Sequence, residues 1–487
     1  MIIAGLAALA GLMASHASAA PARSGIHAAY VLLAPAPDGG TVPLARVIIP
    51  AGQDCPRLAR TNGSVEMTAR ANPNPATFPV EVCEAVYGFG EAVTIAGSDI
   101  ALPTIAPDPG PQHIVVLGDT GCKGGSSQDC TDPAAWPFGT FAAAAAHPAP
   151  DLVIHLGDYN YRGTPGRIAV GDRKENVYDA GDSAPADRQC QLGDSYVSQN
   201  VSGSQNWDSW ANWQADFFDP AAPLLSRAPW VVARGNHELC SRAGPGFFYF
   251  LDPHSSLLGG ELSCPVQQLG GQPLPNLVFV PPYRVDFGRL NLVVMDSANA
   301  CDTFPNFTAT YAQQFEAVQE LAADRLTWLI GHRPIWGVDQ GASPGQFDIS
   351  NAALQQALRQ SSGGSLPASV QLVLAGHMHR FEAVSFETGR PPQLVIGNSG
   401  TQLNDNPLAG PFTADVDGEA AKGLAANEFG YLDIRLRPTG DWLGMVVDPR
   451  LSGTKALAFC GTHGLKETGQ ICVPAQELKR RLNPDGK

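Results

Sequence analysis

The sequence predicts an α/β fold, a layered β core flanked by helices, with a small β-rich domain in front of it. Three observations predict it. Residues 25–103 hold short apolar stretches broken by Gly, Pro and Asn, with no helical period. From His113 onward an apolar strand (113–117), a helix (138–146) and a second apolar strand (152–156) follow one another as a βαβ unit. Successive apolar strands then end in Gly followed at once by Asp, Asn or His.

Taken in chain order, residues 1–19 read as a signal peptide. An apolar run from Ile2 to Ala14 precedes Ala17-Ser18-Ala19, a small-x-small cleavage pattern, although no Lys or Arg stands before the run. At roughly 13 residues it is shorter than the ~20 a bilayer requires, so no stable membrane anchor is expected and the chain is read as secreted or periplasmic. Ten cysteines suit that compartment and allow up to five disulfides. Proximity in sequence pairs Cys55 with Cys83, Cys122 with Cys130, Cys240 with Cys264 and Cys460 with Cys472, leaving Cys190 with Cys301.

Residues 25–103 are read as a small β-rich domain, 104–111 as a Pro-rich linker, 112–450 as the main α/β domain and 451–487 as a short polar tail. Within the main domain, further buried strands are expected at 230–233, 290–295, 327–330, 370–374 and 394–396, and helices at 207–217, 311–323 and 351–360. Two long polar insertions, 163–206 and 239–277, interrupt this pattern, and both contain cysteines. With 46 acidic against 31 basic side chains the net charge is −15, which argues against nucleic acid or anionic lipid as a partner.

The chemistry is written at the strand ends. They read Gly118-Asp119-Thr120-Gly121, Gly157-Asp158-Tyr159-Asn160-Tyr161, Gly235-Asn236-His237-Glu238, Gly331-His332 and Gly376-His377-Met378-His379. One strand-end Asp is ordinarily an N-cap. Five such fragments in order are different, because ligands in open α/β sheets bind beyond the carboxyl ends of the strands, where these loops converge. Together they offer Asp, Tyr, Asn and His donors, a hard-to-borderline set suited to two cations.

This ordered set resembles the purple acid phosphatase pattern GDxG, GDxxY, GNH(D/E), xxxH, GHxH within the binuclear metallophosphoesterases, over about residues 110–400. The resemblance implies a four-layer α-β-β-α metallophosphoesterase sandwich. It places Asp119, Asp158, Tyr161 and His379 on a first metal, ferric iron. Asp158, Asn236, His332 and His377 fall on a second, divalent iron, zinc or manganese, with Asp158 bridging. His237 corresponds to an outer-sphere histidine that protonates the leaving alkoxide or orients phosphate. The implied reaction is attack of a metal-bound hydroxide on the phosphorus of small phosphate monoesters. Most metallophosphoesterases carry a His two places after the first Asp. Here that place is Gly121, and Tyr161 restores the ligand count; a phenol binds at mild pH only to a strongly Lewis-acidic cation.

Around these positions, Arg162 is read as a phosphate clamp, since a planar guanidinium suits bidentate recognition and the same place resembles the protein Ser/Thr phosphatase motif. Arg234 is a weaker candidate, and His155 reads as a core histidine. Leu329 stands where the fourth motif usually has Val. The loop 333–341 lacks the second outer-sphere histidine often found there, which leaves Asp339 as a substitute proton donor. Two other readings compete: a phosphodiesterase on the same scaffold, and a non-catalytic binder of metal or phosphate, which the complete ligand set argues against.

Overall fold

Alternation along the central strands decides how the layers stack. In His113–Leu117, Ile114 and Val116 enter one hydrophobic core while Val115 and Leu117 enter another. In Asn291–Val294, Leu292 and Val294 join the first of these cores and Val293 a third. A strand apolar on both faces must be covered on both, and the result is two sheets packed face to face with helices outside each. Helices Phe138–Ala145, Asp219–Leu225 and Gly244–Phe250 cover one sheet. Thr308–Ala322 and Ala352–Gln360 cover the other. The computed structural model describes residues 25–477 apart from 107, 109, 124–127, 163–166, 171–172, 177–207, 241, 265, 270–271, 276–277, 324, 344, 406–407, 453–454 and 463–468.

Among the described residues the first sheet has eleven strands and the second eight. In the first, His113–Leu117, Leu152–His155 and Pro229–Val232 are parallel neighbours. In the second, Asn291–Val294, Thr327–Ile330, Val370–Ala375 and Gln393–Ile396 are parallel in that order. Parallel pairing brings the carboxyl ends of neighbouring strands to one edge, where the Gly-led loops emerge.

Two expected boundaries do not interrupt the hydrogen bonding. Residues 25–103 are β-rich, as expected, but Ala28–Pro35 pairs in parallel with Pro229–Val232, and Thr41–Pro50, Val80–Val86 and Thr68–Ala69 extend the same sheet. Ala28–Pro35 is buried on both faces, with Val31 and Leu33 in the inter-sheet core and Tyr30 and Leu32 under the helices. Such a strand belongs inside a covered sheet. Arg57–Arg60, Gly63–Glu66 and Val93–Ile95 form a separate three-stranded sheet, and Ile105 of the Pro-rich stretch packs into the main core. In the tail, Ala456–Gly461 and Cys472–Pro474 extend the opposite edge.

Glu84, buried with Arg46 at 3.3 Å and Arg70 at 2.8 Å, ties the front strands to the second insertion. Arg70 and Arg46 donate to the carbonyls of Phe248 and Phe250 at the end of Gly244–Phe250. That helix was illegible in the sequence because it is enclosed all round and shows no amphipathic period. The expected helix 207–217 is instead Trp210–Trp213, a π-turn over Gln214–Phe218 and Asp219–Leu225.

Four of the expected disulfides are present: Cys55–Cys83, Cys122–Cys130, Cys240–Cys264 and Cys460–Cys472. Cys301 is disulfide-bonded, while Cys190 and the signal-like residues 1–19 lie outside the described residues. Among the described residues no helix is long and apolar enough to cross a membrane.

Candidate metal centre

The first sheet delivers Asp119, Asp158 and Asn236 from the loops after three adjacent parallel strands; the second delivers His332, His377 and His379. Asp119, Asp158, His377 and His379 all adopt positive φ, at 54°, 60°, 76° and 49°. Left-handed backbone costs non-glycine residues on the order of 1–3 kcal/mol each, and its concentration here is typical of functional sites. Two glycines have steric reasons. A Cβ on Gly235 would lie 2.1 Å from Asp158 Oδ1. A Cβ on Gly121 would lie 2.7 Å from Tyr161 Cδ2. Where the sequence leaves out a side chain at 121, the Tyr161 ring occupies the space.

The donors fall into two clusters that share one carboxylate. Asp119, Asp158 and His379 present ligand atoms within 4.8 Å of one another, and so do Asp158, His332 and His377. Tyr161 joins the first: its Oη lies 2.6 Å from Asp158 Oδ2, 2.9 Å from His379 Nε2 and 3.3 Å from Asp119 Oδ1. Asn236 joins the second, its Oδ1 2.9 Å from His332 Nε2, which is itself 3.3 Å from Asp158 Oδ2. All seven sequence-predicted donors therefore meet in one place.

Electrostatics fits cations there. Burial pushes Asp119 well above the usual carboxylate range. Burial acts the same way on Asp158, but the adjacent His332 outweighs it and holds Asp158 well below. Against its own burial, His332 is raised by Asp158 to about 9. Burial lowers His379 to about 3 and lowers His377, so both rings keep a free lone pair for a metal. Protons shared among packed donors in this way are what a bound cation displaces.

Supporting groups hold the loops. Glu238 accepts from the backbone N–H of Asp158 (2.9 Å), Tyr159 (2.8 Å), Asn160 (3.3 Å) and Gly235 (3.1 Å). Asp216, in the π-turn, accepts from the Tyr161 N–H at 2.8 Å and the Arg162 N–H at 3.0 Å. The acidic position of the GNH(D/E) pattern marks Glu238, but nothing local marks Asp216.

His237 lies over the Tyr161 ring, centroids 3.7 Å apart, and its backbone N–H donates to Asp158 Oδ1 at 2.8 Å. The Arg162 guanidinium pairs with Asp216 through Nε and stacks on Trp136 at 5.1 Å, with its side chain 27 % exposed. Arg234 is spent on Asp296 and on the Glu238 and Val278 carbonyls. His155 is a core histidine, bonded to Thr120 Oγ1 and accepting from the Gly157 N–H. Asp339 is engaged by Arg380 Nη1 at 2.6 Å, which disfavours it as the substitute proton donor.

The layered sheets and paired donor clusters define a dinuclear phosphoesterase scaffold. The family description "calcineurin-like phosphoesterase" matches residues 112–381, more than half of the chain, and the chain belongs to that family, which implies a dinuclear metal site. No curated protein sequence matches the chain. Among solved structures, the purple acid phosphatase PPD1 from yellow lupin (Lupinus luteus) seeds is similar in fold, with a TM-score of 0.51 and 12 % identity over 88 % of this chain and 72 % of that one. PhoD aligns with a TM-score of 0.49 and 12 % identity over 89 % of both chains.

Proposed function

We propose that this phosphoesterase is an exported two-metal phosphatase acting on small phosphate monoesters, with ferric iron at the first site and divalent iron, zinc or manganese at the second. One observation carries the reading: two donor clusters share Asp158, and the phenol of Tyr161 lies within the first. Asp119, Asp158, Tyr161 and His379 would hold the first cation, and Asp158, Asn236, His332 and His377 the second. When bound, such a pair supplies Lewis acidity and lowers the pKa of bound water toward ~7.

The protein's own part is positioning and proton transfer. Glu238 and Asp216 fix the backbone that carries Asp158 and Tyr161. His237, beside Tyr161, is placed to give a proton to the leaving oxygen. The part of the Arg162 guanidinium left by Asp216 is available to a phosphate oxygen. Export is supported by the signal-like leader and the disulfides, which persist in oxidising compartments. The net charge of −15 favours small phosphorylated substrates over nucleic acid.

The test is hydrolysis of a phosphate monoester and a phosphate diester side by side, after loading with iron and with zinc or manganese. Monoester turnover that requires both metals is expected. A strong preference for the diester would make the protein a phosphodiesterase, and no turnover of either would leave a binding protein.

A further inference from the structure

The two histidines of the second cluster are held differently. His332 has Nδ1 2.7 Å from the Leu156 carbonyl, so Nδ1 carries the proton and Nε2 faces the site. His377 is the reverse. Its Nε2 lies 2.9 Å from Asp302 Oδ2, and a carboxylate can only accept, so Asp302 favours a proton on Nε2, with Nδ1 left for a cation.

Asp302 is well placed to impose this. Asn351 Nδ2 donates to its Oδ1 at 2.8 Å, and the Ala352 N–H donates to its carbonyl at 2.8 Å. Arg333, the residue after His332, pairs with Asp302 Oδ2. Arg333 Nη1 also lies 2.7 Å from His377 Nε2; a guanidinium can only donate, so it favours the opposite tautomer, and the Asp302 carboxylate is the group that selects the Nε2–H form. The main chain of His377 is fixed as well, its N–H donating to Asp119 Oδ2 at 2.8 Å. The ring is thus oriented from both ends. Asp302 has a second effect: it neutralises a buried guanidinium that would otherwise stand uncompensated beside a cation site.

We infer that Asp302, braced by Arg333 and Asn351, is a positioning residue that fixes the tautomer and orientation of His377 for the second metal. The inference rests on the two-metal reading above. Neither Asp302 nor Arg333 belongs to the strand-end motifs, and the fold alone joins them to His377.

The experiment is titration of the metal-free full chain with Co²⁺, followed by calorimetry and by visible d–d absorption, in the wild type, Asp302→Asn and Arg333→Met. Supporting groups of this kind are typically worth 10–100-fold in metal affinity. Two binding steps are expected in the wild type. In Asp302→Asn the second step should weaken by roughly 10–100-fold with an altered d–d band, while the first step stays unchanged; the metal-free melting temperature should fall, because Arg333 loses its counter-charge. Arg333→Met keeps the carboxylate and should weaken the second step less. A second step in Asp302→Asn within twofold of wild type overturns the inference and leaves the two-metal reading standing. So does equal weakening of both steps, which makes Asp302 merely structural. A single step in the wild type overturns both.

Discussion

His237→Ala separates proton donation from metal binding more cleanly than any other change at this site. The backbone N–H of His237 holds Asp158 Oδ1, and its carbonyl accepts from the Ala243 N–H at 3.0 Å. Both bonds survive removal of the side chain, so the loop and the bridging carboxylate should stay in place and both metals should be retained. What disappears is an imidazole whose ring centroid lies 3.7 Å from that of Tyr161. General acid catalysis is worth about 10²–10⁴-fold, or roughly 3–5 kcal/mol of barrier. That loss should appear for alkyl phosphates, whose alkoxide leaves poorly without a proton. It should nearly vanish for p-nitrophenyl phosphate, whose leaving group is stable as the anion. The assay is kcat/KM for both substrates in wild type and variant, with metal content measured on the same samples. Equal losses for the two substrates would refute proton donation and assign His237 to phosphate binding. Loss of metal would refute the argument that only its backbone serves Asp158.

Asn236→Ala should lower second-metal content and cut turnover by orders of magnitude while the first site stays filled, as read by metal analysis. The iron-loaded protein should be coloured through the Tyr161 phenolate, and Tyr161→Phe should bleach the visible band while leaving residual hydrolysis; an unchanged band would remove the phenol from the first site. Stability of the metal-free protein should fall as pH rises from about 4 to 7. Asp208, raised by burial to about 7, holds a proton in the folded state that the unfolded chain has lost by then. A shift of about three units corresponds to at most roughly 4 kcal/mol. Asp208→Asn should flatten the slope seen in urea unfolding, and an unchanged slope would exclude this group as its source.

Four of the disulfide pairings and the core strands were legible because their signals are local. His113–Leu117 and Thr327–Ile330 have the expected bounds, since a run of apolar residues closed by Gly marks a buried strand without reference to anything distant. The candidate donors were legible for a related reason. Each sits directly after such a strand, and parallel packing brings strand ends together whatever the intervening loops do. The family resemblance made Gly121 and Tyr161 readable as a pair, and the 2.7 Å approach of a Cβ at 121 to the Tyr161 ring gives that pairing a steric basis.

Other features depended on partners far along the chain. Residues 28–35 read as apolar strand, but only the free edge of Pro229–Val232 decides that they enter the main sheet rather than a domain of their own. Gly244–Phe250 carries no period because it is buried on every side by elements distant in sequence. Asp216 reaches Tyr161 across 55 positions, and Asp302 reaches His377 across 75. An isolated Asp in a loop looks the same whether it faces water or a metal-site histidine. The sequence alone therefore determined the strands that carry the site, the donor set and the family they resemble, because these are properties of adjacent residues. Only the tertiary structure decided which sheet the front strands join, which nitrogen each histidine presents, and which acids hold them, because those choices are made by contacts between segments that share no local pattern.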